Sequence, residues 1–186
     1  SHAYNGKRTL RTEVMYSAGG MAYVYLCYGM HHLFNVVTNV KNIPHAVLIR
    51  AIVPEKGIKF ILERRNAAKA HPPPIAIGTF PKGREIKGEK FENLTVGISP
   101  SANWRRGFRR GCKKLTSGPG KVSQALGIKS IHTGCNLCGN EIWIEDSRVS
   151  VNEKDIITGI RIGVGYAGKD AELPYRFTLN DICLLL

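Results

Sequence analysis

The chain has 186 residues, with 27 Lys and Arg against 14 Asp and Glu, a net charge of +13 and a pI near 9.8. Its 43% apolar and 22% charged content is that of a folded domain with a sizeable core, which excludes a disordered or fibrous chain. No apolar run approaches the roughly 20 residues of a membrane helix, and a positive surplus of this size selects a polyanionic partner, nucleic acid before membrane.

The first residues, Ser1-His2-Ala3-Tyr4, read as the middle of a longer protein, and residues 1 to 20 as a basic, Gly-containing loop leading into a sheet. Met21 to Val40 is rich in aromatic and β-branched residues, which predicts two strands around Gly29 or one bent strand. Tyr23 and Tyr25 then share a face, because side chains alternate along a strand. Ala46 to Val53 predicts another strand, ended by Pro54. Lys56 to Ala68 has a helical pattern, with Ile58, Ile61 and Leu62 on the apolar face and Glu63, Arg64 and Arg65 on the wet one. Residues 66 to 112 lose all periodicity; they hold Pro72-Pro73-Pro74 and nine Lys and Arg against three Glu, and predict a basic surface insertion. Pro119, near a first helical turn, suits the helix Val122 to Leu126 that follows. Glu141 to Glu145, Ile156 to Tyr166 and Arg176 to Leu179 predict three more strands. The class is α+β, a single domain over 1–186 on a curved, mostly antiparallel sheet with a few flanking helices.

Five Cys at irregular spacing make a poor disulfide framework and point to a reducing compartment. Cys135-Asn136-Leu137-Cys138 has C-x-x-C spacing with His132 upstream. A structural zinc wants four ligands, and only Cys112 is left nearby, so no metal is expected.

Several residues fit a purely structural role poorly. Arg50 lies in an apolar strand pattern, where a buried charge must be paired; it either faces water on an edge strand or aims into a polar pocket. Asn35 interrupts Leu33-Phe34-Asn35-Val36-Val37, as a bulge or turn residue or as a buried amide with backbone or ligand partners. Tyr23, Tyr25 and Tyr28 are core aromatics or stacking faces. The alternating glycines of Arg161-Ile162-Gly163-Val164-Gly165-Tyr166-Ala167-Gly168 mark close approach by a ligand or another backbone. Ser117-Gly118-Pro119-Gly120-Lys121 places amides, a hydroxyl and an ammonium at a helix start, which suits a phosphate.

Taken with Gly6-Lys7-Arg8-Thr9, Ala22-Tyr23-Val24-Tyr25-Leu26-Cys27-Tyr28-Gly29-Met30, Phe34-Asn35-Val36, Ala46-Val47-Leu48-Ile49-Arg50-Ala51 and Gln124-Ala125-Leu126-Gly127, these blocks resemble the alkyladenine/3-methyladenine DNA glycosylase family. They stand in the family's order and cover the chain apart from the insertion. The resemblance implies a curved antiparallel sheet and a monofunctional base-excision enzyme that flips and hydrolytically removes alkylated purines.

It also implies residue roles. Tyr28 resembles the wedge that fills the gap left by the flipped nucleotide. His2 and Tyr25 resemble the walls of the base slot, and Tyr23 supports them. Asn35 resembles the residue that excludes guanine through its 2-amino group. Arg50 and the main-chain carbonyl of Ile162 resemble the groups that hold the attacking water. Lys7, Arg8, Thr9, Met15, Ser117 and Lys121 match positions near DNA. The implied partner is double-stranded DNA carrying alkylated or deaminated purines, bound by a monomer without metal, cofactor or membrane. The implied location is the cytoplasm beside the nucleoid of a bacterium, or the nucleus of a eukaryote.

The family's catalytic Glu lies upstream of the Ser-His-Ala block in a Glu-Thr-Glu-Ala-Tyr-like motif, which these 186 residues do not contain. Glu13, in Arg11-Thr12-Glu13-Val14-Met15, matches a different position. A truncated chain whose excision is slow is the expectation. The rivals are a noncatalytic sensor of damaged or distorted duplex and an RNA-binding domain using the same basic sheet.

Overall fold

The computed structural model describes residues 2–54, 56–67, 115–146 and 150–179. The insertion expected at 66–112 lies, past Ala67, outside the described residues, as does Cys112.

Three strands form the central sheet, in the order β1 (Ala22–Cys27), β2 (His31–Thr38), β3 (His45–Leu48), all antiparallel. The two strands expected around Gly29 are present, and the hairpin between them turns at Tyr28 and Gly29, both with positive φ. The period-2 alternation sends the two faces of this sheet into different cores. Tyr23 and Val37 pack with Ala3, Met15 and Tyr16, and with the partly buried Tyr25 and Ala46. Ala22, Val24 and Phe34 pack on the other face with Ile128 and Leu137. Both faces of β1 and β2 are therefore covered, which is why these strands read as near-continuous apolar runs.

The free edge of β1 is closed by residues 133–137. The amide of Ala22 donates to the Cys135 carbonyl at 2.9 Å, and the amide of Leu137 to the Gly20 carbonyl at 2.7 Å. The Thr133 hydroxyl donates to the Val24 carbonyl at 2.7 Å. The C-x-x-C pair sits on this edge segment, where the Cys135 thiol donates to the Glu141 carboxylate.

The helix α1 spans Ile58–Ala67 and α2 spans Pro119–Leu126; α2 packs on β2 and α1 on α2. Of the expected apolar face of α1, Ile61 is fully buried, but Leu62 is exposed. Arg64 and Arg65, expected to be solvated, instead reach the end of α2, where they donate to the Ala125 carbonyl and the Gln124 side chain. Pro119 stands in the first turn of α2, as expected, and Gly127 closes the helix in the left-handed conformation.

Three strand expectations are corrected. The third strand ends at Leu48, well short of the expected Val53, and beyond it a single bridge joins Ala51 to Ser117. Glu141 to Glu145 forms only one bridge, Cys138 to Trp143. The long strand expected from Ile156 to Tyr166 stops at Gly159 as β4 (Ile156–Gly159), because Gly163 takes φ +77°, outside the extended region, and a 3₁₀ segment begins at Gly165. β5 (Arg176–Leu179) has the expected bounds and pairs antiparallel with β4. Two antiparallel sheets with helices make the fold α+β.

Candidate nucleic-acid site

The site begins in one row of the central sheet. Tyr23 pairs with Asn35, and Asn35 pairs with Leu48, so the three side chains stand on one face, with Tyr25 and Leu33 in the next row. Asn35 is neither a bulge nor a turn residue. It is 6% exposed in the middle of β2, and its amide nitrogen donates to the carbonyls of Tyr23 and Leu33, each at 3.0 Å. Both amide hydrogens are used, so the burial is satisfied on the donor side.

The segment before β1 folds over this face. His2 Nδ1 lies 2.7 Å from the Tyr23 hydroxyl. The His2 ring stands edge-on to Tyr25, with centroids 4.5 Å apart and planes at 80°, and the Tyr23 and Tyr25 rings are 5.5 Å apart. Three aromatic residues named from the sequence are thus brought together. The slot between His2 and Tyr25 is closed: a base stacked between two parallel rings needs about 7 Å, two steps of 3.4 Å. Burial raises the phenol pKa of both Tyr23 and Tyr25, and a nearby Tyr166 adds to the rise at Tyr25.

Arg11 is the site residue that sequence reasoning missed. Its guanidinium carbon lies 5.3 Å from the centre of the Tyr25 ring, and its Nη2 is 3.3 Å from His2 Nε2. The turn that carries it is heavily braced. The Thr9 amide donates to the Thr12 hydroxyl at 2.9 Å, the Thr12 amide donates to the Thr9 carbonyl at 2.9 Å, and Thr12 is buried. This brace also holds Leu10 fully exposed at the tip, 100% accessible among Lys7, Arg8 and Arg11. A leucine inside a run of cations was the available signal.

Tyr28 occupies the hairpin tip. It is 89% exposed at φ 51°. The left-handed region costs a non-glycine residue roughly 1–2 kcal/mol, and such outliers concentrate at functional sites. The tip is tied to the start of α2, since a Cβ on Gly120 would come within 3.1–3.3 Å of the His31 ring. Gly118, at φ 116°, begins α2, and its amide donates to the Arg50 carbonyl at 2.8 Å. Arg50 follows β3 as a half-buried residue outside any strand and is joined through its carbonyl to Gly118, which lies between the exposed Ser117 and Lys121.

The remaining expected residues fall as follows. Lys7, Arg8 and Thr9 are exposed on the braced loop. Arg8 is engaged by both carboxylate oxygens of Glu13, at 2.8 and 2.5 Å, and its guanidinium lies 4.8 Å from the Tyr16 ring centre. That pairing holds the Glu13 carboxyl below its usual range. Met15, expected beside DNA, is 6% exposed in the core with Tyr16 and Tyr23; burial assigns it to supporting the aromatic wall from behind. Ile162 is exposed in the Gly-rich block, well away from regular strand geometry.

The sequence profile of the methylpurine-DNA glycosylase (MPG) family matches residues 1–182. A protein of Chlamydia felis with the name "Putative 3-methyladenine DNA glycosylase" is 38% identical over 179 residues, which are 96% of this chain and 70% of that protein. A protein of the same name from Alkaliphilus oremlandii is 35% identical over 181 residues, 97% of this chain and 72% of the relative. The chain belongs to the methylpurine-DNA glycosylase family.

Proposed function

We propose that this protein is a base-excision repair enzyme that rotates an alkylated purine of the 3-methyladenine type out of duplex DNA and hydrolyses its glycosidic bond. The observation that carries the reading is the cluster of His2, Tyr23 and Tyr25 over the sheet face that also holds Asn35. Stacking an extruded base on such rings contributes roughly 1–3 kcal/mol per base, which offsets the few kcal/mol of unstacking. Electron-rich rings also favour a positively charged base.

The other roles follow the same frame. Tyr28 enters the minor groove at the hairpin tip and takes the place of the rotated nucleotide. Asn35, fixed by its two donated bonds, turns its remaining oxygen and its bulk against a purine 2-amino group. Arg50 and the Ile162 carbonyl hold the attacking water. Lys7, Thr9, Ser117 and Lys121 meet phosphates, and Arg8 does so on exchanging Glu13 for one. Glu13 is not offered as general base, since it is committed to Arg8. That role goes to the Glu of the family's upstream motif, and rapid turnover is expected only with that Glu present.

Methylated duplex DNA incubated with the protein and analysed by chromatography should release free 3-methyladenine and leave abasic sites, with turnover rising by orders of magnitude when the upstream motif is included. Tight binding to damaged duplex without release in either form would instead make the protein a noncatalytic damage binder.

A further inference from the structure

His2 forms two contacts that together fix its proton. Its Nε2 faces Nη2 of Arg11 at 3.3 Å, and its Nδ1 faces the Tyr23 hydroxyl at 2.7 Å. A guanidinium has five N–H donors and no acceptor, and it does not deprotonate in proteins. Nε2 must therefore present its lone pair to Arg11. A neutral ring with that lone pair carries its hydrogen on Nδ1, which donates to the Tyr23 oxygen. An imidazolium here would set an N–H against an N–H and one positive charge against another. Among the described residues the groups around the ring are Arg11, Tyr23 and Tyr25, none of them an anion.

We propose that Arg11 is a positioning residue that holds His2 as the neutral, Nδ1-protonated tautomer, so that the movable wall of the base slot carries no charge against a positively charged purine. The inference rests on the glycosylase reading for its purpose, while the tautomer follows from the contacts alone. A neutral imidazole stacks on a cationic base, whereas an imidazolium repels it. The guanidinium itself is exposed, where water and DNA phosphates screen it. Arg11 also reaches the Tyr25 ring and sits on the Thr9–Thr12 brace, so its placement does not depend on a free side chain. Burial, with Arg11 second, depresses the His2 pKa in agreement with this arrangement.

The test is long-range ¹H–¹⁵N NMR of the protein labelled at histidine, titrated over about pH 5 to 8. In the wild type, His2 should show a protonated Nδ1 and a bare Nε2 through the neutral range. Arg11→Ala should release it: the Nε2–H form appears and the titration midpoint moves up. Arg11→Gln, whose amide donates to Nε2 without a charge, should restore the tautomer but not the low midpoint, a split that loss of packing does not produce. A wild-type proton on Nε2, or an unchanged spectrum and midpoint in both variants, overturns the proposal. The expected tautomer in a protein without preference for damaged duplex would refute the glycosylase reading and leave this assignment standing.

Discussion

The side-chain amide of Asn35 is bonded at 3.0 Å to the main-chain carbonyl of Tyr23, directly across the β1–β2 ladder. The residue expected to choose the base and the residue that anchors the slot wall are thus one rigid unit. Asn35→Ala removes two buried hydrogen bonds, each contributing about 0.5–1.5 kcal/mol, and should destabilise the fold accordingly, read in a denaturant titration. Asn35→Ser should relax the rejection of guanine-like bases in a competition assay. Unchanged discrimination would make Asn35 purely structural.

Tyr28 tests the cost of presenting a wedge. Tyr28→Gly removes the left-handed strain, so thermal stability should stay level or rise by up to about 1 kcal/mol. Its affinity for damaged duplex should fall at the same time. Loss of stability with retained affinity would remove Tyr28 from the interface.

His2 gives a pH dependence whose sign is fixed. Burial and then Arg11 lower its folded pKa below the usual 6.5. The unfolded chain therefore binds the extra proton first, and the stability from neutral His2 is fully present above the unfolded pKa. It is lost as pH falls through 6.5 towards the folded value. His2→Phe should flatten that part of the stability–pH curve; an unaltered slope contradicts the neutral assignment.

Lys121 stands exposed in the first turn of α2, whose preceding residue, Gly118, bonds the Arg50 carbonyl. Lys121→Ala should weaken binding to all duplexes alike and reduce the salt slope by about 1. A loss confined to damaged sites would contradict a phosphate contact.

The parts of the fold legible in the sequence were those whose pattern is local. Aromatic and β-branched residues marked β1 and β2, Tyr28-Gly29 the turn, and Pro119 the helix start. The parts that were not legible depend on partners far along the chain. Ile156 to Tyr166 alternates like a strand, yet the positive φ of Gly163 breaks it, and alternation cannot show whether a partner runs alongside. Arg64 and Arg65 look solvated by charge, but α2 offers them acceptors. In the site, Asn35 stood out as ill-suited to its strand, and the Tyr pair as candidate stacking faces. Arg11 did not, because one arginine among Lys7, Arg8 and Arg11 is indistinguishable until the Thr9–Thr12 brace aims it at His2 and Tyr25.

Base extrusion into this site depends on the His2–Tyr25 pair parting to admit a single purine. The most direct measurement places a fluorescent purine analogue at a damaged position in a duplex and follows its emission on titration with the protein. Base extrusion predicts a saturable change at that position, lost in Tyr25→Ala and absent for the same analogue in undamaged DNA. An identical response from damaged and undamaged duplexes, indifferent to Tyr25, would contradict the account.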